Sequence, residues 1–184
     1  MNSIVVPAHK EPDILFFMER LEKEIVPNQI VVCNDRYGRG KGWALREALK
    51  EAKGDKFIFI DGDGDIDPYE INKVIIYLNQ YDVVVGKKQL PGRWDRKLLT
   101  FLSRLYIRLL FGFEEDTQTG IKGFNYKPEW KTNGFAFDIE ILYRAKKEGK
   151  SIIEIPVKAT VSDSKSIGVI WQTLIESLII RFRS

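Results

Sequence analysis

Asp55-Lys56-Phe57-Ile58-Phe59-Ile60-Asp61-Gly62-Asp63-Gly64-Asp65-Ile66-Asp67-Pro68 is the stretch on which the fold turns. Phe57 to Ile60 is short enough for a strand and apolar at every position, as strands of a parallel sheet are. Four aspartates follow at alternate positions, with glycine between the first three. Carboxylates so spaced at the carboxyl end of a strand can converge on one hard cation, which prefers oxygen ligands. Open α/β sheets bind ligands at that edge. The stretch therefore predicts a metal-and-phosphate site. A solvated acidic turn, for which Asp and Gly are ordinary residues, is the plainer alternative.

Two other readings of the run are weaker. An EF-hand loop requires Gly at its sixth position and Glu at its twelfth. Counted from Asp61 these are Ile66 and Asn72, which excludes it. A phosphatase of the haloacid dehalogenase type also places Asp-x-Asp after an apolar strand, with the first Asp, here Asp61, as nucleophile. That family expects Thr or Val two residues after the second Asp, where this chain has Asp65.

Composition bounds the answer. The 184 residues suit one domain large enough for a proper core. A net charge of +3, from 29 basic and 26 acidic side chains, gives no argument for a nucleic-acid partner. One cysteine, Cys33, excludes an intrachain disulfide and a cysteine-rich zinc site, and one histidine, His9, excludes a multi-histidine centre. Met1 runs straight into a strand with no signal-peptide pattern, and no apolar run reaches the ~20 residues of a spanning helix. The default expectation is a cytosolic protein.

In chain order, Ser3 to Pro7 reads as a strand with Pro7 to Pro12 as its exit loop, then a helix from about Asp13 to Ile25. Gln29 to Cys33 is a second strand, ending in Asn34-Asp35. Arg36 to Gly42 is glycine-rich and precedes a helix through about Lys53. After the acidic run, Asp67 as N-cap, Pro68 at the first position and Glu70 closing a capping box predict a helix start. Tyr81 to Gly86 is a fourth strand. This alternation predicts an α/β fold with a mainly parallel sheet flanked by helices.

The glycine-rich segment meets neither the dinucleotide fingerprint, since Trp43 stands at the third place after Gly40, nor the Walker pattern, since Gly42 follows Lys41. What survives is generic: backbone amides and Lys41 at a helix N-terminus suit an anion, and a flexible turn is the equal alternative. Farther on, Lys87, Lys88, Arg93, Arg96 and Lys97 form a basic cluster. Leu98 to Phe113 reads as an amphipathic helix, and Ile167, Ile170, Trp171, Leu174, Ile175, Leu178, Ile179 and Phe182 make a wide apolar face on a last one. Such helices suit a membrane interface, the sheet or a dimer contact. Asp116 to Phe124 reads as too polar and glycine-rich for a plain strand. Phe135 to Leu142 starts a helix, Ser151 to Val157 is a strand, and Ser162 to Ser166 is a polar loop.

Taken in order, these motifs resemble the family 2 glycosyltransferases of GT-A fold, in the branch of dolichol-phosphate mannose synthase and polyprenyl-phosphate glucosyltransferases. Ile4 to Glu11 resembles the opening strand and Pro-x-Tyr/His-x-Glu loop, and Gly40-Lys41-Gly42-Trp43-Ala44 the Gly-Lys-Gly-x-Ala segment. Asp61-Gly62-Asp63 falls at the Asp-x-Asp, and Asp116 to Phe124 resembles the stretch near the acceptor. Phe137 to Leu142 resembles the helix that carries a Glu, and Glu154-Ile155-Pro156-Val157 with Ser164-Lys165-Ser166 the family's ending. The likeness spans nearly the whole chain, as one GT-A-like domain over residues 1–184. Two departures stand out. Asn34-Asp35 runs almost directly into Gly38, without the family's extra strand and helix, so the nucleotide half is shortened. The acidic run carries one residue more than Asp-x-Asp-x-x-x-Pro, so Asp63 with Asp65 is an alternative metal pair.

The resemblance implies an inverting, metal-dependent hexosyltransferase using a nucleotide-sugar of GDP-mannose or UDP-glucose type. The acceptor it implies is a polyprenyl or dolichyl phosphate at a membrane surface, with peripheral membrane contact and a homo-oligomer as further expectations. Asp61, Asp63 and Asp65 are the metal candidates, for Mg²⁺ or Mn²⁺. Pro7, His9, Glu11, Asp35, Lys41, Asp61, Lys88, Arg93 and Arg96 are the donor-side candidates. Gln118, Thr119, Lys122, Glu140, Ser164 and Lys165 are the acceptor-side ones. Asp63 and Asp116 are the catalytic candidates, Asp116 as base if the acceptor is a hydroxyl; a lipid phosphate needs no strong base. A nucleotidyltransferase, a phosphatase using Asp61 and a non-catalytic binding module are the competing readings.

Overall fold

The structure, a computed structural model, describes residues 1–8, 14–25, 28–88, 105–112, 119–159 and 167–183. Strands β1 (Asn2–Ala8), β3 (Lys56–Ile60) and β4 (Val83–Lys88) send successive side chains to opposite faces of one sheet. Val5, Phe57, Phe59, Val83 and Val85 enter one core. Ile4, Val6, Ile58, Ile60 and Val84 enter the other. The first is covered by α2 (Lys41–Glu51), α4 (105–111), α5 (Phe137–Lys147) and α6 (Ile167–Arg183). The second is covered by α1 (Ile14–Glu24) and α3 (Glu70–Tyr77). Three layers result, and both faces of the sheet are covered, which is why Ile4 to Val6, Phe57 to Ile60 and Val83 to Val85 are apolar at successive positions.

The strand order is β2 (Asn28–Asn34), β1, β3, β5 (Ile121–Phe124), β4, β6 (Ile152–Val157). β5 runs antiparallel to both neighbours, and the other three pairings are parallel. The mainly parallel α/β expectation holds. The reading of 116–124 as unsuited to a strand does not, because Ile121–Phe124 is a wholly buried strand inside the sheet. Two contacts explain it. Lys122 is paired inside the sheet with Asp138, 2.9 Å away. Gly123 leaves room for α3, where any Cβ would overlap the Val74 side chain.

The start of α3 also differs in detail. Asp67 accepts the Tyr69 amide at 3.0 Å in the turn before the helix, but the N-cap position is Tyr69, which makes no side-chain cap, so the expected Asp67 cap is corrected. Glu70 is turned inward to Lys73 at 2.7 Å rather than back to close a capping box. α6 is inverted relative to a core helix. It buries Thr173, Ser177 and Ile180, and turns Trp171, Ile175, Leu178, Ile179 and Phe182 outward. Tyr106 of α4 stands 2.9 Å from the Ser177 hydroxyl, which makes the small polar face the packed one.

Candidate active site at the carboxyl edge of the sheet

β1 to β4 all end on the same edge of the sheet, and antiparallel β5 begins there. That topology alone gathers Pro7, Asp35, the Asp61–Asp65 run, Lys88 and Thr119 from positions far apart in sequence. Asp35 follows β2, and its amide donates to the Ala8 carbonyl at 2.9 Å. Asp61 follows β3, and its amide donates to the Gly120 carbonyl at 2.9 Å. Gly120 is required there: a Cβ would stand 2.6 Å from Asp61 Oδ2.

The acidic tip is flanked by lysines. Lys41 Nζ lies 2.6 Å from Asp61 Oδ1. Lys88 Nζ lies 3.3 Å from Asp65 Oδ2. Between them, Asp63 Oδ1 accepts the Asp65 amide at 3.0 Å, closing a turn through Gly64 at φ 74°. Burial, then the charges of Asp61 and Asp65, hold the Asp63 carboxyl above the usual carboxylate range. Crowded carboxylates of this kind are oxygen donors of the type a divalent cation takes. Among the described residues no three acidic, His or Cys side chains are gathered on one point. Asp61 and Asp65 each face a lysine instead.

Lys41 is the first residue of α2. Burial alone would lower its ammonium, but the Asp61 and Asp138 carboxylates outweigh it and hold it above the ordinary lysine value. The glycines beside it do not form an anion cradle. The Gly42 amide donates to the Gly134 carbonyl and the Trp43 amide to Asn133, at 3.3 and 3.0 Å. A Cβ on Gly40 or Gly42 would overlap the Asn133 or Thr132 carbonyl. The backbone part of the anion reading is thus corrected: these amides are taken by the 131–134 turn, and only the lysine side chain reaches the tip. Asp35 serves the same loop. Its Oδ2 accepts the Gly40 amide at 2.7 Å. Burial works against its charge, but the Arg39, Gly40 and Tyr37 amides prevail and keep the carboxyl below its usual range.

On the acceptor side, Thr119 and Lys122 are buried. Lys122 donates to the Thr119 carbonyl at 2.7 Å as well as pairing with Asp138. Glu140 faces away from the tip. It accepts the Lys131 and Thr132 amides and the Thr132 hydroxyl, and it pairs with Arg144 at 2.8 Å. Burial opposes its charge; those donors win and hold its carboxyl low. In this geometry it braces the turn behind Lys41. His9, Glu11, Arg93, Arg96, Asp116, Gln118, Ser164 and Lys165 lie outside the described residues. Asp138 was not singled out from sequence. Its signal is an acid inside the apolar run Phe137 to Leu142, which burial permits only with a partner.

Comparison with known proteins fits this architecture. Residues 17–142 match the family model described as Glycosyl transferase family 2. An undecaprenyl-phosphate mannosyltransferase of Micrococcus luteus is 24% identical over 210 residues, covering 89% of this chain and 86% of that protein. A dolichyl-phosphate beta-glucosyltransferase of Dictyostelium discoideum is 28% identical over 186 residues, covering 89% of this chain and 56% of that one. An uncharacterised protein of Methanocaldococcus jannaschii is 26% identical over 153 residues, and the chain spans 63% of its length. Among solved structures, glucosyl-3-phosphoglycerate synthase of Mycobacterium tuberculosis, in complex with Mn²⁺ and UDP-glucose, superposes with a TM-score of 0.78. It is 16% identical and covers 98% of this chain and 78% of that one, a likeness of fold. The family model spans well over half of the chain, and the chain belongs to glycosyl transferase family 2, with the GT-A fold.

Proposed function

We propose that this chain transfers a hexose, with inversion, from a nucleotide-sugar of GDP-mannose or UDP-glucose type to a polyprenyl phosphate at a membrane surface. The observation that carries the reading is the acidic tip of β3, flanked by Lys41 and Lys88, at the ligand edge of a family 2 sheet. Relatives named for undecaprenyl- and dolichyl-phosphate transfer supply the acceptor class. Family membership takes away the support for the nucleotidyltransferase and phosphatase readings.

Asp61 and Asp63 would hold a divalent cation, Mg²⁺ or Mn²⁺, which when bound supplies positive charge to the departing diphosphate. Lys41, kept fully protonated by its acidic neighbours, and Lys88 stand on either side to contact the same phosphates. A lipid phosphate oxygen is already ionised, so the attack needs no strong base. Lys122 acts as a positioning residue: it fixes the Thr119 carbonyl, and the adjoining Gly120 backs Asp61. No helix among the described residues is long and apolar enough to cross a membrane. The outward stripe of α6, Trp171 to Phe182, supports peripheral contact instead.

The test is transfer of labelled hexose from GDP-mannose or UDP-glucose into organic-extractable polyprenyl phosphate, with Mg²⁺, Mn²⁺ or chelator. Label entering the lipid from one donor, and only with cation, is the expected result. Donor binding without transfer to any polyprenyl phosphate would overturn the acceptor assignment. Neither binding nor turnover would leave the chain as a binding module.

A further inference from the structure

α5, α6 and residues 131–132 line an open pocket of about 330 Å³, and none of Asp61, Asp63, Lys41 or Lys88 lines it. Lys131, Arg144, Lys147 and Arg183 face it, against the two carboxylates of Glu140 and Glu148. Glu140 is already saturated by the Lys131 and Thr132 amides, the Thr132 hydroxyl and Arg144. Among the described residues Lys131 and Arg183 make no ion pair. Four cations and two carboxylates line this concavity, an excess of positive charge even with Arg144 paired to Glu140. The rim adds a second feature. Ile179 lines the cavity and also belongs to the outward apolar stripe of α6, with Trp171, Ile175, Leu178 and Phe182.

We propose that this cavity seats the phosphate headgroup of an anionic bilayer phospholipid while the α6 stripe lies against the acyl boundary. The inference rests on the membrane contact proposed above. A soluble phosphate ester would satisfy the cations equally, but it would leave the adjoining stripe in water, and the stripe favours the lipid. Basic residues at an anionic surface each strengthen binding roughly fivefold at moderate salt, and the apolar stripe acts regardless of lipid charge.

The experiment is co-sedimentation of the full chain with vesicles of phosphatidylcholine alone, or mixed with phosphatidylglycerol. The wild type is compared with a cavity variant, Lys147→Glu with Arg183→Glu, and a stripe variant, Ile175→Ser with Phe182→Ser. A charge control, Lys23→Glu with Lys53→Glu, changes exposed lysines outside the cavity. All the substituted positions are exposed, and thermal melts confirm folding. The wild type is expected to prefer the anionic vesicles at least tenfold. The cavity variant should lose that preference yet keep its binding to neutral vesicles, the stripe variant should lose both, and the control should match the wild type. Equal loss in the control, or no loss in the cavity variant, would overturn the headgroup site while leaving membrane contact standing. Absence of wild-type binding to any vesicle would refute the membrane contact and the headgroup site with it. Displacement from anionic vesicles by millimolar-range free glycerol 3-phosphate, with equally tight binding of that ester alone, would assign the cavity to a soluble ligand and overturn the lipid.

Discussion

Two lysine–aspartate pairs stand one behind the other in this molecule, and they differ in burial rather than in chemistry. Lys41–Asp61, at 2.6 Å, lies on the rim with side chains 19% and 26% exposed. Lys122–Asp138, at 2.9 Å, lies inside with side chains 2% and 9% exposed. The rim pair can open, because water, a cation or a phosphate can replace either partner. The inner pair resists opening, because removing either partner leaves a buried charge without its counter-ion. The difference separates a site that exchanges partners from the frame that aims it. The Asp138 carboxylate acts on Lys41 as well, so the frame reaches the site electrostatically.

Breaking the inner pair should have the largest effect. Lys122→Ala or Asp138→Ala should lower unfolding free energy by about 3–5 kcal/mol, read by urea denaturation. The double change Lys122→Met with Asp138→Leu should recover most of it, since the pair is then removed whole. Full stability of either single variant would show that the inner pair frames nothing. Next in size, Asp63→Ala should lower cation-dependent turnover at least about a hundredfold, roughly 2.7 kcal/mol of transition-state stabilisation, with the fold intact. Lys41→Met should then cost about tenfold in kcat/KM for the donor, mostly through KM, as loss of a phosphate contact does.

The smallest effect concerns stability without cation. The folded-state pKa of Asp63 is raised above its unfolded value, so the folded state holds its proton more tightly and stability falls as pH rises through that pKa. Asp63→Asn should therefore raise the cation-free melting temperature at neutral pH by roughly 1 °C. The gain should vanish on acidification below the unfolded carboxylate pKa. A drop at neutral pH would contradict the crowding of the three aspartates.

How much of this was legible beforehand follows from how local each signal is. The apolar runs Ile4 to Val6 and Phe57 to Ile60 announce two-faced strands, and they carry Pro7 and Asp61 to one edge without further information. The same rule placed Asp35 and Lys88. β5 was not legible, because Lys122 and Gly123 argue against a strand until Asp138 and the Val74 face of α3 are known to receive them. The Gly-Lys-Gly segment misled for the same reason. Its amides are taken by Asn133 and Gly134, some ninety residues away, and no local pattern records that pairing. The apolar stripe of α6 was visible, but its direction was not, since that depends on Ser177 meeting Tyr106.

The rim carboxylates and a cation are proposed to hold a nucleoside diphosphate jointly. Isothermal titration of GDP and UDP into the wild type and Asp63→Asn, with and without Mn²⁺, tests it most directly. Binding linked to one site must be reciprocal. One nucleotide should bind the wild type at least tenfold more tightly with Mn²⁺, Mn²⁺ should bind correspondingly tighter with the nucleotide present, and Asp63→Asn should lose both gains. Equal nucleotide affinity with and without the cation, or full coupling in Asp63→Asn, would contradict the account.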